Sequence, residues 1–214
     1  MSNHAETMIR QVMASDSYRT AVATLAAEHD RTVEDIIALT QIAAPSFQEA
    51  TRGSAFRAMA EAHGLKNLQI DAEGNVTGLR PGIGNGPLIC VAAHLDTVFP
   101  PGTDLAVRRE GTRLYAPGVG DDTRSLAVLL AWLRAMDAAG VQTRADILFV
   151  ADVGEEGPGD LRGMRHLFLF AQALCGHPSG PPNKGQVSPG RARFGRGDQR
   201  LCPRADQHRL IHAD

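Results

Sequence analysis

The sequence predicts an α/β fold in which helices flank a mixed, mostly parallel sheet. Two almost wholly apolar runs, residues 87–93 and 146–152, are typical of buried strands, and the first has the pattern of a central strand covered on both faces. A strongly apolar segment over residues 123–139 predicts a helix between them, which ends near Gly140. Strands and helices therefore alternate through the middle of the chain, as is typical of the α/β class.

The N-terminal part of the chain predicts helices. Residues 18–44 have helical character, with a break near residues 29–32 that divides the segment into two pieces. Apolar side chains in the second piece recur at i, i+3 and i+4, which places them on one helical stripe. Pro45 ends this helix because proline cannot continue the backbone hydrogen-bonding pattern.

A further amphipathic helix is predicted after Pro45. Ser46 followed three positions later by Glu49 matches a capping box, in which the two side chains satisfy free backbone N–H groups. The helix is expected to run to His63, with Gly64 as its C-terminal stop.

Shorter elements complete the predicted fold. Residues 68–71 and 75–79 have strand character and are joined through Glu73 and Gly74, as in a hairpin. The remaining predicted elements are strands over residues 107–110 and 113–115 and the start of a helix over residues 160–170.

Net charge, apolar segment length and cysteine spacing limit the functions that the sequence predicts. The formal net charge of −2 gives no reason to expect a nucleic-acid or anionic-membrane partner. No apolar segment approaches the length of a membrane span, and the N-terminus lacks a signal-peptide pattern. The three cysteines, Cys90, Cys175 and Cys202, form neither a disulfide framework nor a zinc-finger spacing. We therefore expect a soluble, cytoplasmic protein with no nucleic acid and no membrane as partner.

Polar side chains follow both apolar strands. His94 and Asp96 come after the first strand, and Glu155 and Glu156 come after the second. Asp121 opens the predicted helix between them. In α/β sheets the active site forms at the carboxyl ends of the strands, so these side chains are candidates for one site.

His94 and Asp96 have the spacing of a metal ligand and its orienting group. In an extended segment, residues two apart face the same way, so Asp96 can reach the ring of His94. A carboxylate bonded to one imidazole nitrogen fixes the tautomer and leaves the other nitrogen for a metal. The plain alternative is a capped strand end with a surface histidine.

The acidic pairs also have two interpretations each. Asp121 and Asp122 can cap a helix and favour its positive end, or Asp121 can bridge two cations. Glu155 and Glu156 can be solvated loop residues, or one can bind a metal while the other takes a proton from water.

The glycine-rich segment over residues 82–86 raises a dinucleotide-binding enzyme as an alternative. Its glycines precede a strand, whereas the fingerprint of those enzymes joins a strand to a helix, and the spacing also differs. A flexible turn explains this segment better.

Taken together, the three polar motifs resemble those of the zinc hydrolases that include carboxypeptidase G, aminoacylase, peptidase T, acetylornithine deacetylase and succinyl-diaminopimelate desuccinylase. The resemblance covers roughly residues 30–170. The matching segments are AHLDTV at 93–98, GDDTR at 120–124, GEEG at 154–157 and DLRG at 160–163.

The resemblance implies a role for each candidate residue. His94 and Glu156 would each bind one of two metal ions, and Asp121 would bridge both. Glu155 would be the catalytic base and later the acid, and Asp96 would orient His94. The expected metal is zinc, two per complete site, with cobalt or manganese as alternatives. The expected substrate is a small peptide or an N-acyl amino acid. The resemblance also implies a cis peptide bond after Asp121.

The sequence departs from the family pattern in its last part. Residues 1–170 are expected to be the N-terminal part of a metallohydrolase catalytic domain, and residues 171–214 an irregular tail rich in Gly, Pro and Arg. Two expected metal ligands and the family's dimerisation domain have no counterpart, and His208 and His212 match no family motif. We expect an early truncation or a reading-frame change. A non-catalytic relic or metal-binding scaffold is therefore the alternative to a metal-dependent hydrolase of peptide or N-acyl amide bonds.

Overall fold

The computed structural model describes residues 3–175. Most of the predicted tail, residues 176–214, lies outside the described residues, as do His208 and His212. Met1–His166 forms one compact unit by its contacts.

Four helices precede the sheet: α1 (Asn3–Ala14), α2 (Asp16–Ala27), α3 (His29–Thr40) and α4 (Ala50–Ala60). The break between α2 and α3 falls at Glu28, next to the predicted break. A short 3-10 turn follows α4, and Gly64 ends it in the left-handed conformation, with φ of 62°. The predicted C-terminal stop is therefore confirmed.

The predicted capping box before α4 is wrong. The hydroxyl of Ser46 does not cap the helix; it donates to Oδ2 of Asp96 at 2.7 Å. Glu49 lies at the N-cap position of α4, but its side chain does not cap the helix. Its carboxylate instead accepts a hydrogen bond from the backbone N–H of Phe47 at 2.9 Å. Ser46 is drawn away because a buried carboxylate 50 residues later needs a hydrogen-bond donor.

The sheet strands alternate with further helices as predicted. The bounds are β1 Lys66–Ile70, β2 Val76–Arg80, β3 Ile89–His94, β4 Arg108–Glu110, β5 Arg113–Tyr115, α5 Thr123–Ala138, β6 Ile147–Asp152 and α6 Arg162–Cys175. Strand β3 is followed by a small hairpin of β4 and β5, then by α5, β6 and α6.

The main sheet is mixed, in the order β1-β2-β6-β3. Strands β1 and β2 form the predicted antiparallel hairpin, β2 pairs antiparallel with β6, and β3 pairs parallel with β6. Helices cover the sheet, so the predicted α/β class with a mixed sheet is confirmed. Two of the three pairings among the described strands are antiparallel, however, because β1, β2 and β6 form an antiparallel run and only β3 and β6 are parallel.

The predicted position of β3 in the sheet is wrong. Among the described strands β3 pairs only with β6 and lies at the edge, so Ile89 and Cys90 are exposed. Strand β6 takes the central place between β2 and β3 and is buried along most of its length. An apolar run indicates that a strand is covered, but it does not reveal how many neighbours the strand has.

Helix α5 packs its apolar face against the sheet. Leu126, Leu130 and Leu133 are fully buried in a core that also contains Phe149 and Leu95. The parallel register places His94 beside Asp152, which brings the carboxyl ends of β3 and β6 together. Within residues 3–175, no helix combines the length and the apolar character needed to cross a membrane.

Candidate metal centre

Three side chains from separate parts of the chain converge beyond the ends of β3 and β6. His94, Asp121 and Glu156 each offer one donor atom, and the three atoms lie within 4.8 Å of one another. Glu155 lines the same place, since its Oε2 lies 4.0 Å from Nε2 of His94. The residues expected to share a site are therefore together, although their roles remain predictions.

His94 is held at both ring nitrogens. Its Nδ1 lies 3.0 Å from the backbone carbonyl oxygen of Asp96 and 3.5 Å from that residue's Oδ1. A carbonyl oxygen can only accept, so Nδ1 carries a proton and donates it. Its Nε2 lies 3.0 Å from Oδ1 of Asp121. Both contacts of Nδ1 are thus with Asp96, and the contact with its backbone oxygen is the shorter.

Asp121 reaches the site from the turn before α5. Its side chain is 80% exposed, in contrast to the ring of His94, which is 10% exposed. The peptide bond between Asp121 and Asp122 is cis, as the resemblance implies. Asp122 takes the N-cap position of α5, and its Oδ2 accepts the backbone N–H of His94 at 3.2 Å. The two adjacent acids thus contact different atoms of one histidine.

Asp96 organises the loop that carries the glutamate pair. Its carboxylate is fully buried and accepts the backbone N–H groups of Glu155 and Glu156, at 3.0 and 3.1 Å. Together with the hydroxyl of Ser46, these donors satisfy a charge that would otherwise be costly to bury. One aspartate therefore joins the end of β3 to the loop after β6.

The charges in the site shift one another's ionisation. Burial opposes the protonated form of His94, but hydrogen bonds to Asp96 and Asp121 outweigh it and raise its pKa to about 9. Burial opposes the charged form of Asp96, but hydrogen bonds from His94 and Ser46 and from two backbone amides lower its pKa to about 2. Burial and the charge of Asp121 raise the pKa of Glu156.

Sequence reasoning missed two residues that support the site. The sequence around Ser46 predicts a helix cap, and no local pattern indicates that its partner is Asp96. Arg52 is 1% exposed and donates from Nη1 to the carbonyl oxygen of Leu95 at 2.8 Å, and from Nε and Nη2 to that of Ile42. A charged residue on the buried face of a predicted amphipathic helix was a signal that could have identified Arg52.

Asp152 is a buried acid at the end of β6 that the sequence analysis did not single out. It is 3% exposed and stands beside His94 in the sheet register. Burial raises its pKa to about 6, against the opposing effect of His94. Its position at the carboxyl end of a buried strand was the available signal.

The donor set fits a divalent transition metal. One imidazole nitrogen and two carboxylate oxygens form the type of three-ligand set found in catalytic zinc sites, which keep a further position open. Asp121 supplies an exposed oxygen that solvent can reach, and His94 has its outer nitrogen pointed at that oxygen. The residues present are therefore compatible with the metal that the resemblance implies.

Comparison with known proteins assigns the family. Residues 90–191 match the sequence model of Peptidase family M20/M25/M40. A curated protein from Pyrococcus abyssi, assigned as a LysW-lysine/LysW-ornithine hydrolase, is 34% identical over 153 residues, which are 71% of this chain and 41% of that protein. The chain thus spans about two fifths of the length of this relative.

Solved structures agree on the fold. Human carnosine dipeptidase 1 is similar with a TM-score of 0.62 at 12% identity, over 74% of this chain and 38% of that one. The dipeptidase Dug1p from Saccharomyces cerevisiae has a TM-score of 0.58 at 13% identity, with the same coverage of 74% and 38%. The sequence matches and the shared fold lead to one conclusion: this chain belongs to peptidase family M20/M25/M40.

Proposed function

We propose that this protein is a metal-dependent hydrolase of peptide or N-acyl amide bonds. In this proposal His94, Asp121 and Glu156 would together hold one metal ion, whereas the resemblance implies two ions with His94 and Glu156 on different ones. Glu155 transfers protons, and Asp96 positions the histidine and the loop. The observation that carries this proposal is the convergence of three metal-ligating atoms within 4.8 Å, with Glu155 beside them.

Zinc is the metal that the donor set favours. Imidazole and carboxylate ligands suit zinc, while cobalt and manganese accept the same donors. When bound, a divalent ion supplies Lewis-acid chemistry, because it acidifies water and stabilises negative charge on a carbonyl oxygen. The chain's own residues must then orient the reactants and move the protons.

In this proposal Glu155 makes the proton transfers. Its side chain is 45% exposed, so its carboxylate can meet both water and a substrate. It takes a proton from water as the water oxygen bonds to the carbonyl carbon of the substrate. It then gives that proton to the nitrogen of the leaving amine as the carbon–nitrogen bond breaks. The backbone N–H of Glu155 donates a hydrogen bond to Asp96, and this contact limits the positions that the Glu155 carboxylate can take.

The proposed substrate is a small peptide or an N-acyl amino acid. The family match and the hydrolase relative support hydrolysis as the reaction class. A site at the exposed end of two strands is open to small molecules, since the side chains of Asp121 and Glu155 are 80% and 45% exposed.

A metal-binding scaffold without hydrolase activity is the second candidate. Two ions that share a bridge need more protein donors than one, and the described residues bring three donor atoms together. Three donors suffice for one ion but leave a two-ion site short of ligands. This candidate predicts metal binding without turnover.

The two candidates are separated by metal titration and hydrolysis measured on the same samples. Zinc binding to the metal-free 214-residue chain is measured by calorimetry, and turnover is assayed with dipeptides and N-acyl amino acids. The hydrolase predicts zinc-dependent turnover that Glu155→Gln reduces by about two to four powers of ten without abolishing zinc binding. Glu61→Gln, at an exposed position on the 3-10 turn after α4, is the matched control and keeps full turnover. Zinc binding with no turnover supports the scaffold, and absence of both contradicts the proposed site.

A further inference from the structure

The loop between β6 and α6 carries both glutamates of the proposed site but has little regular structure of its own. It contains a single 3-10 turn, Gly157–Gly159, and several residues in the left-handed region, among them Gly154 with φ of 66° and Asp160 with φ of 52°. A segment of this kind keeps its shape only if surrounding residues hold it. The amides of Glu155 and Glu156 are held by Asp96, but the start of the loop needs another support.

Arg162, the first residue of α6, forms ion pairs with two acidic residues beside this loop. Both oxygens of the Glu49 carboxylate accept from its Nη2, each at 2.9 Å. The backbone oxygen and the carboxylate of Glu73 accept from its Nη1 at 2.9 and 3.0 Å. The guanidinium also lies 5.0 Å from the ring centre of Phe47. The arginine head is thereby fixed to two segments distant in sequence.

The stem of Arg162 lies directly against the loop. A Cβ atom placed on Gly154 would lie 2.7 Å from Cγ of Arg162 and 2.8 Å from its Nε. The backbone immediately before Glu155 therefore packs on the arginine stem with no room for a side chain. The partner Glu49 is almost fully buried, with a side chain 4% exposed, so losing the arginine would leave its charge buried and unpaired.

A second contact fixes the same end of the loop independently. The side chain of Asn75 accepts the backbone N–H of Val153 at 3.1 Å and donates to the carbonyl oxygen of Gly163 at 3.0 Å. The N–H of Gly163 donates to the carbonyl oxygen of Val153 at 2.9 Å. These hydrogen bonds hold the two ends of the loop, at Val153 and Gly163, next to each other. Arg162 contacts the residues between these two ends.

We propose that Arg162 is a positioning residue that fixes the loop carrying Glu155 and Glu156 through its contacts with Glu49, Glu73 and the backbone of Gly154. This inference rests on the proposed function for the roles of the two glutamates. The position of the loop itself is a separate property that can be measured without metal.

The first measurement is hydrogen exchange of the metal-free 214-residue chain over residues 153–161. Arg162→Met removes the charged contacts, and Arg162→Met/Glu49→Gln also removes the buried charge that the single change leaves unpaired. Arg165→Met is the matched control because Arg165 lies one turn later in α6 and pairs with Asp160, where both side chains are exposed. We expect exchange over residues 153–161 to become at least about tenfold faster in both Arg162 variants and unchanged in Arg165→Met, since local opening then costs less.

The second measurement uses Co2+ alone as the probe ion, with its visible absorption spectrum as a report on ligand geometry. We expect Co2+ affinity to fall by about 10- to 100-fold in both Arg162 variants, with an altered spectrum, as when residues that orient ligands are removed. Arg165→Met should match the unmodified chain. Thermal unfolding of each variant identifies any that fails to fold, and the double variant keeps the comparison valid in that case.

The outcomes separate the two proposals. Faster exchange with weaker, spectrally altered Co2+ binding supports the role of Arg162. Exchange and Co2+ binding in both Arg162 variants equal to those of Arg165→Met would overturn it. If the unmodified chain binds no Co2+, the proposed function fails, and Arg162 is then judged by exchange alone. Faster exchange in its variants supports the positioning role, and unchanged exchange refutes it.

Discussion

Nε2 of His94 lies 3.0 Å from Oδ1 of Asp121, although 27 residues separate them. The contact forms because β3 ends at the same edge of the sheet at which the turn before α5 begins. The side chain of His94 is nearly buried and that of Asp121 is largely exposed, so the contact lies at the boundary between the protein interior and solvent. We propose that a metal ion takes the place of the proton between these two atoms.

The first prediction concerns acid stability. Asp96 has its pKa lowered from 3.8 to about 2. Because the folded-state pKa is depressed, the stabilisation is fully present above pH 3.8 and is lost as the pH falls through the folded value near 2. The loss amounts to about 2 kcal/mol.

Urea unfolding of the metal-free chain between about pH 5 and pH 2 checks this prediction. Asp96→Asn should remove this part of the pH dependence, and Asp104→Asn, at an exposed position, should retain it. If the loss of unfolding free energy at low pH is the same in Asp96→Asn as in the unmodified chain, the hydrogen bonds assigned to the Asp96 carboxylate are contradicted.

The second prediction concerns Ser46. Ser46→Ala removes the hydroxyl that donates to Asp96 at 2.7 Å, leaving a buried carboxylate with one donor fewer. The expected destabilisation is about 1.5–3 kcal/mol, as for hydrogen bonds to charged groups. Ser54→Ala is the control, since its hydroxyl bonds only within α4 at an exposed position. Equal effects of the two changes in urea unfolding would refute a special role for Ser46.

The third prediction concerns Arg52. Arg52→Met leaves the carbonyl oxygens of Leu95 and Ile42 without their donors and is expected to destabilise the fold by about 2 kcal/mol. Relief of a buried charge offsets part of this cost, because burial already lowers the pKa of Arg52 to about 10. Arg57→Met, in an exposed ion pair on the same helix, should change stability by less than about 0.5 kcal/mol. Thermal or urea unfolding that ranks the two variants alike would contradict this prediction.

The fourth prediction separates backbone strain from steric contact in the loop. Gly154→Ala introduces a Cβ atom at φ of 66° and 2.7 Å from Cγ of Arg162. Gly111→Ala introduces one at φ of 59° with no atom within 4 Å. Both variants bear the left-handed strain of about 1 kcal/mol, and only Gly154→Ala bears the clash. We expect Gly154→Ala to be the less stable by at least about 1 kcal/mol in urea unfolding. Equal losses would show that the arginine stem moves away without cost.

The sequence was sufficient to predict the α/β class and the grouping of the acidic pairs with His94. Both follow from local patterns, because apolar runs mark strands and polar residues after strands meet at one sheet edge. The edge position of β3 could not be predicted, since strand order depends on pairing between distant segments. The partner of Ser46 lies 50 residues away, so a local capping pattern was the only signal available. Sequence analysis therefore found the proposed ligands and Asp96, but it missed the supporting contacts of Ser46 and Arg52.

The most direct test of the account is the position of zinc in crystals of the 214-residue chain, determined from anomalous diffraction at the zinc edge. The account predicts a zinc peak at about 2.0–2.2 Å from Nε2 of His94 and from carboxylate oxygens of Asp121 and Glu156. In the same map, Nε2 of His94 and Oδ1 of Asp121 should have separated from 3.0 Å to make room for the ion. A zinc peak bound by other residues, or none at these three side chains under saturating zinc, would contradict the central claim.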